Sequence, residues 1–131
     1  MRPWLLLSVL FACSSSEPVP PRLSAIEQRI FVPNCTFSSC HSSAGHAGGL
    51  VLEPGKSFAS LVQQACQQDA ALQAKLLRVA PGDPARSFLI LKLRDPLDPA
   101  YGARMPQGSP ALDGTDLASI EEWIRRGAAN D

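Results

Sequence analysis

Cys35 and Cys40 stand five positions apart, and His41 follows the second cysteine directly. Few short patterns constrain a fold as tightly, because each chemistry open to this one demands a different interior. A disulfide would close a small loop. A zinc ion would need further ligands close by, and Cys35, Cys40, His41 and His46 together make a plausible set of two sulfurs and two imidazoles. A covalently attached haem would use the two thiols on its vinyl groups and His41 beneath the iron, and would need a wide apolar pocket for a flat ring. Thr36, Phe37, Ser38 and Ser39 lie between the cysteines, where the usual haem-attachment spacing has two residues. The longer loop must bulge to keep both sulfurs at vinyl distance. On spacing alone haem, zinc and disulfide all stay open.

What surrounds the pattern narrows the choice. The chain has 131 residues, with twelve basic and twelve acidic side chains spread evenly along it. One domain is expected, and no charged field for nucleic acid. Residues 1–13 read as a targeting segment: Arg2, an apolar run from Trp4 to Phe11, then Ala12 and Cys13. The run is too short to span a bilayer. Leu10-Phe11-Ala12-Cys13 resembles the lipobox of bacterial lipoproteins, which implies that Cys13 is lipidated and becomes the new N-terminus. The expectation is a membrane-anchored protein of the cell envelope, on the periplasmic side and at the outer membrane. Residues 14–23, rich in Ser and Pro, read as its tether, and 24–131 as the folded domain.

Export changes the meaning of cysteine, since thiols outside the cytoplasm tend to oxidise. With Cys13 lipidated, Cys35, Cys40 and Cys66 remain, and an odd number cannot all pair within the set.

The domain reads as all-α, with long loops between short helices. Leu23 to Phe31 is expected to be helical, opened by a capping box of Ser24 and Glu27 and stopped by Pro33. Residues 44–55 read as irregular, with Leu50-Val51-Leu52 an apolar patch able to fold over something flat. Phe58, Leu61 and Val62 fall at helical spacing, and a surface helix or helix pair follows. Asp83 and Pro84 read as N-cap and first residue of a helix carrying Phe88 to Leu93. Asp95 to Gly108 holds three prolines and reads as a loop. Asp113 opens a last helix with Leu117, Ile120, Trp123 and Ile124, closed by Arg125, Arg126 and Gly127. Such a domain can bury little apolar area by itself, and a large flat cofactor would supply the missing core.

One residue speaks for haem from the far end. Met105 is the one methionine left after the leader, and it stands in the proline-rich loop outside any apolar stripe, a poor place for core filler and a good one for a ligand. An electron-transfer haem takes methionine as its second axial ligand, because the thioether favours ferrous iron. Arg104 reads either as a partner for a haem propionate or as a solvated loop arginine, and His46 as a surface histidine.

The order Cys35-x4-Cys40-His41, Gly48-Gly49-Leu50-x-Leu52, Pro81-Gly82-Asp83-Pro84-x-x-Ser87-x-Leu89, Arg104-Met105-Pro106 and Trp123-Ile124-x-x-Gly127-Ala128 resembles the planctomycete-type cytochrome c-like domains, also found in small exported lipoproteins. It covers about Ile30 to Ala128. The resemblance implies a cytochrome c-like helical fold around one covalently attached haem c, thioethers at Cys35 and Cys40, and His41 and Met105 as iron ligands. The expected function is that of a monohaem c-type cytochrome passing single electrons between redox partner proteins. With both axial positions filled, no small-molecule substrate and no enzymatic activity are expected. The alternative from another class is a non-redox envelope lipoprotein module held by zinc or a disulfide; a third keeps the haem without Met105 and leaves an open iron site. Cys66 has no place in the pattern.

Overall fold

The computed structural model describes residues 17–131; the leader, the lipobox and Cys13 lie outside them. Among the described residues the chain is helix-rich, and extended pairing is confined to isolated bridges at Val62–Val79, Ala65–Leu77 and Leu77–Ser87. It is not a sheet protein. No helix there is long and apolar enough to cross a membrane.

The first helix runs through Pro33 instead of stopping at it. An α turn, α1 (Leu23–Ile26), leads into a π turn (Glu27–Phe31) and then a second α turn, α2 (Val32–Cys35), with helical backbone angles across both joins. A proline inside a regular helix loses one hydrogen bond and clashes with the preceding turn. The widened π turn re-registers the ladder so that Pro33 falls in the first turn of α2, where an N–H is not needed. Cys35 therefore ends the helix, where the sequence reading put it beyond the end.

The expected capping box is also absent. The Leu23 N–H donates to Asp131 Oδ1 at 2.8 Å and the Ser24 N–H to the Asp131 carbonyl at 2.9 Å, so residues distant in sequence cap this helix. Glu27 turns inward instead, buried, and accepts from Ser57 Oγ at 2.5 Å and the Gly55 N–H at 3.1 Å. The folded part begins ahead of Ser24: Val19 is buried in the core, and Arg29 Nη2 donates to the Glu17 carbonyl at 2.9 Å.

The remaining helices are short: α3 (Ser57–Leu61), α4 (Asp69–Gln73), α5 (Phe88–Leu93) and the longest, α6 (Gly114–Arg125). Asp113 caps α6 as its sequence predicts, accepting from the Thr115 N–H at 2.7 Å. Asp83 caps a separate 3-10 turn, Pro84–Arg86, and α5 starts only after it. The buried Ser87 hydroxyl donates to the Asp83 carbonyl at 2.8 Å and accepts from the Ala80 N–H at 2.9 Å, closing that turn. The Gly82 N–H then reaches the Ile124 carbonyl at 2.8 Å, fastening the turn to the end of α6.

The core lies where the first helix, α5 and α6 meet. Leu23, Ile26, Ile30, Phe31, Ile90, Ile120, Trp123 and Ile124 are essentially closed to solvent, and each buried side chain of this size contributes about 1.5–3 kcal/mol of transfer free energy. Trp123 Nε1 finds the Ala129 carbonyl at 2.8 Å, so its polar edge is satisfied as its rings are buried.

Candidate haem site

The loop after the first helix folds back on its own start. The His41 N–H donates to the Cys35 carbonyl at 3.0 Å and the Cys40 N–H to the Phe37 carbonyl at 2.8 Å. The residues in between bulge outward, leaving Phe37 56 % exposed at the surface. Gly45 makes the fold-back possible. A Cβ there would lie 2.5 Å from the Cys40 carbonyl oxygen and 2.8 Å from both the Cys40 nitrogen and the Ser38 carbonyl oxygen. Any side chain would drive the cysteine loop outward, a requirement the spacing of the cysteines alone does not disclose.

Beyond Gly45 the chain makes a 3-10 turn, Ala47–Gly49, entered through His46 in the left-handed region. His41 Nδ1 is 3.0 Å from the Ala47 carbonyl of this turn. A carbonyl can only accept, so the proton sits on Nδ1 and Nε2 keeps its lone pair for a ligand. Burial lowers the pKa of the imidazole, opposed in part by backbone hydrogen bonding from Ala47 and Leu50. The ring is thus held neutral and in one tautomer, the state in which histidine binds metals.

His41 faces an apolar cavity of about 240 Å³, walled by Phe31, Leu50, Leu52, Leu61, Leu89 and Leu93 among others. Cys35, Cys66 and Met105 also line it. A second pocket of about 130 Å³ shares Cys35, His41, Ala47 and Met105 with the first and adds Cys40. The larger lies just below the ~300–1,000 Å³ range of small-molecule and cofactor sites. Leu50 and Leu52, expected to fold over something flat, form part of the wall, and the Leu52 N–H is bonded to the His41 carbonyl at 2.8 Å.

Met105 is held by its backbone. Its N–H donates to the Lys92 carbonyl at 2.8 Å, and the Lys92 ammonium returns to the same loop, bonding the carbonyls of Tyr101, at 3.0 Å, and Ala103. Arg104 braces the loop from outside, with Nη2 on the Ser109 carbonyl at 3.1 Å and Nε 3.9 Å from Asp95. It does not line either pocket.

The structure therefore brings Cys35, Cys40, His41 and Met105 together, and leaves His46 exposed and outside both pockets. Cys35, Cys40 and Cys66 are free thiols. Burial, with Cys40 close by, pushes the Cys35 thiol up to about 12, and burial also raises Cys66, whose Sγ lies 3.4 Å from the Leu76 carbonyl. Both sulfurs are kept as protonated thiols, unsuited to act as thiolates. Among the described residues no group of three or more His, Cys, Asp or Glu side chains is arranged to hold a metal ion, so the set Cys35, Cys40, His41 and His46 is not assembled.

Two thiols, an imidazole with a free Nε2 and a thioether on the walls of an apolar cavity fit a covalently held haem. Sequence reasoning missed Arg78, which carries no motif. Its Nη1 donates to the carbonyls of Ser60 at 2.8 Å and Gly49 at 3.2 Å, and Nη2 to Gly48 at 3.0 Å, pinning the turn that orients His41.

Comparison with protein-family models, with curated proteins and with solved structures finds no match to this chain.

Proposed function

We propose that this chain is a monohaem c-type cytochrome that carries single electrons between redox partner proteins, with the cytochrome c-like fold its sequence resembles. One observation carries the reading: Cys35, His41 and Met105 line an apolar cavity, and the same three residues with Cys40 line the smaller pocket beside it. Bound haem c would supply a reversible ferrous–ferric couple. The protein's own part is mechanical and electrostatic. Cys35 and Cys40 would hold the group through thioethers, across a loop whose ends are already closed together. His41 offers Nε2, with the Ala47 carbonyl preventing the ring from turning. Met105 offers its sulfur from a loop anchored at both the backbone and the side chain of Lys92. Leu50, Leu52 and Leu89 exclude water, so little solvent has to reorganise as the charge changes. With His41 and Met105 as its two protein ligands, the iron would have no site for a substrate, and the group would supply electron transfer. A lipid on Cys13 would hold the domain at the envelope membrane, on the periplasmic side, with residues 14–16 as the start of the tether.

The test is expression with a c-type maturation system. The mature protein should be red, and its colour should survive denaturing electrophoresis in the wild type and be lost when Cys35 and Cys40 are both alanine. Met105→Ala should abolish the weak far-red band of a methionine-ligated ferric haem, lower the potential and admit cyanide, while His46→Ala leaves all three unchanged. A colourless protein carrying stoichiometric zinc would overturn the proposal in favour of a zinc-held envelope module.

A further inference from the structure

The larger cavity is apolar except along one stretch of wall. Arg78, Gln67, Gln68 and Lys92 line it there, and none of the four reaches the smaller pocket, where Cys40 stands with Cys35. Backbone contacts string them into one edge. Arg78 holds the carbonyls of Gly48 and Gly49, and a Cβ on Gly49 would lie 2.4 Å from Gln67 Nε2, so Gln67 sits against the same turn. Gln68 Nε2 donates to the Ala100 carbonyl at 2.6 Å, next to the Tyr101 carbonyl taken by Lys92. The cavity thus has Cys35 toward the smaller pocket that holds Cys40, and two cations, two amides and Cys66 elsewhere on its rim.

Those cations are not neutralised. Among the described residues the ion pairs involve Lys56, Arg94, Arg104, Arg125 and Arg126, and neither Arg78 nor Lys92 meets a carboxylate. Carbonyl partners satisfy hydrogen bonds without cancelling charge. Nor do they exhaust the donors. A guanidinium has five N–H groups and an ammonium three; the contacts made here leave Arg78 its Nε–H and one Nη2 hydrogen, and Lys92 one hydrogen. Both side chains are half-buried. An uncompensated pair of cations beside an apolar cavity is costly unless the occupant brings anions.

The geometry points to Arg78 and Lys92, assisted by Gln67 and Gln68, as the carboxylate-binding edge of the cavity, which receives the two propionates of the haem. This rests on the haem reading above and adds the orientation of the ring: vinyl edge toward Cys35 and Cys40, propionate edge toward Arg78 and Lys92. Arg104, the sequence candidate for this role, braces the Met105 loop instead. Charge-assisted hydrogen bonds to carboxylates are short and strong, and guanidinium is well shaped to give two.

The experiment uses the haem-loaded full chain and reads the propionates directly. In resonance Raman spectra the propionate bending band should sit at a hydrogen-bonded position in the wild type and move toward the solvated position in Arg78→Gln and in Lys92→Gln. Each charge removed should also shift the ferric/ferrous equilibrium toward ferric iron by roughly three- to tenfold, whereas Arg29→Gln, remote from the cavity, leaves both readouts in place. A wild-type band already at the solvated position would overturn the inference even if neither variant could be produced. Unchanged spectra in both variants of a red protein would overturn it and leave the cytochrome reading intact. A colourless wild type would remove that reading, and this one with it.

Discussion

The two sides of this small molecule are built by different rules. On one side the first helix and α6 press Ile26, Ile30, Ile120, Trp123 and Ile124 into a closed core with every polar edge partnered. On the other side loops carry Cys40, His41, Leu50 and Met105 around a space that the protein's own side chains do not fill. Interiors are normally packed to crystal-like density, and an unfilled apolar space forfeits the dispersion contacts its lining would make. The closed side can therefore hold itself together, and on the proposed reading the loop side would be completed by the bound haem. Glu27 joins the two: it belongs to the first helix and accepts from Gly55 and Ser57, the far end of the loop that passes over the cavity.

The largest expected effect breaks the closed side. Trp123→Ala should cost about 3–5 kcal/mol, the usual loss for a buried aromatic truncated to alanine, and by nearly the same amount with or without a bound group. Urea unfolding of both forms measures it. A loss confined to the loaded form would mean that the core depends on the occupant, and the contrast between the two sides would fail.

Leu89→Ala sharpens the contrast from the other side. Leu89 is 8 % exposed and already faces the cavity, so without an occupant its removal enlarges an existing void instead of opening a new one. The expected loss is about 1.5–3 kcal/mol, the transfer contribution alone, rising once the cavity is filled and the side chain has contacts on both faces. Equal losses in the two forms, by the same urea titration, would show that the cavity closes by itself.

The smallest effect is electrostatic and lies on the loop side. Glu53 accepts from the Ser43 N–H at 2.8 Å and from Lys56 Nζ at 2.8 Å, and hydrogen bonding to Lys56 and then Ser43 holds its carboxyl down to about 2. A depressed folded-state pKa contributes stability that is complete above the ordinary glutamate value and is lost as pH falls through the folded one. Glu53→Gln should therefore remove a small stabilisation at neutral pH and flatten the stability profile between about pH 4.5 and about 2. The group is exposed, so the difference should be small and should shrink in high salt. A variant more stable than wild type at pH 7 would show that the Glu53, Ser43 and Lys56 cluster does not hold the loop.

Much of the candidate site was legible because its chemistry is local. Cys40 and His41 are adjacent, Met105 stood out by its company of prolines, and Asp113 announced α6 by side-chain type. What misled was also local reasoning. Ser24 and Glu27 have the spacing of a capping box, yet Glu27 is drawn inward by donors on Gly55 and Ser57, and Asp131 takes over the cap. Pro33 is a helix stop by its missing N–H, but a π turn ahead of it removes the conflict. Arg78 and Gly45 carry no signal at all, since their value lies in which backbone they touch.

The sequence by itself determined the helical character of the chain, the closed apolar stripe of α6 and the candidate donor residues, because propensity, periodicity and donor chemistry are properties of residue types. Only the tertiary structure decided that Cys35, His41 and Met105 line both neighbouring pockets, that His41 keeps Nε2 free, and that two uncompensated cations line the larger one. Those facts depend on contacts between segments far apart along the chain. Such contacts follow from how loops close over a core, which no short stretch of sequence encodes.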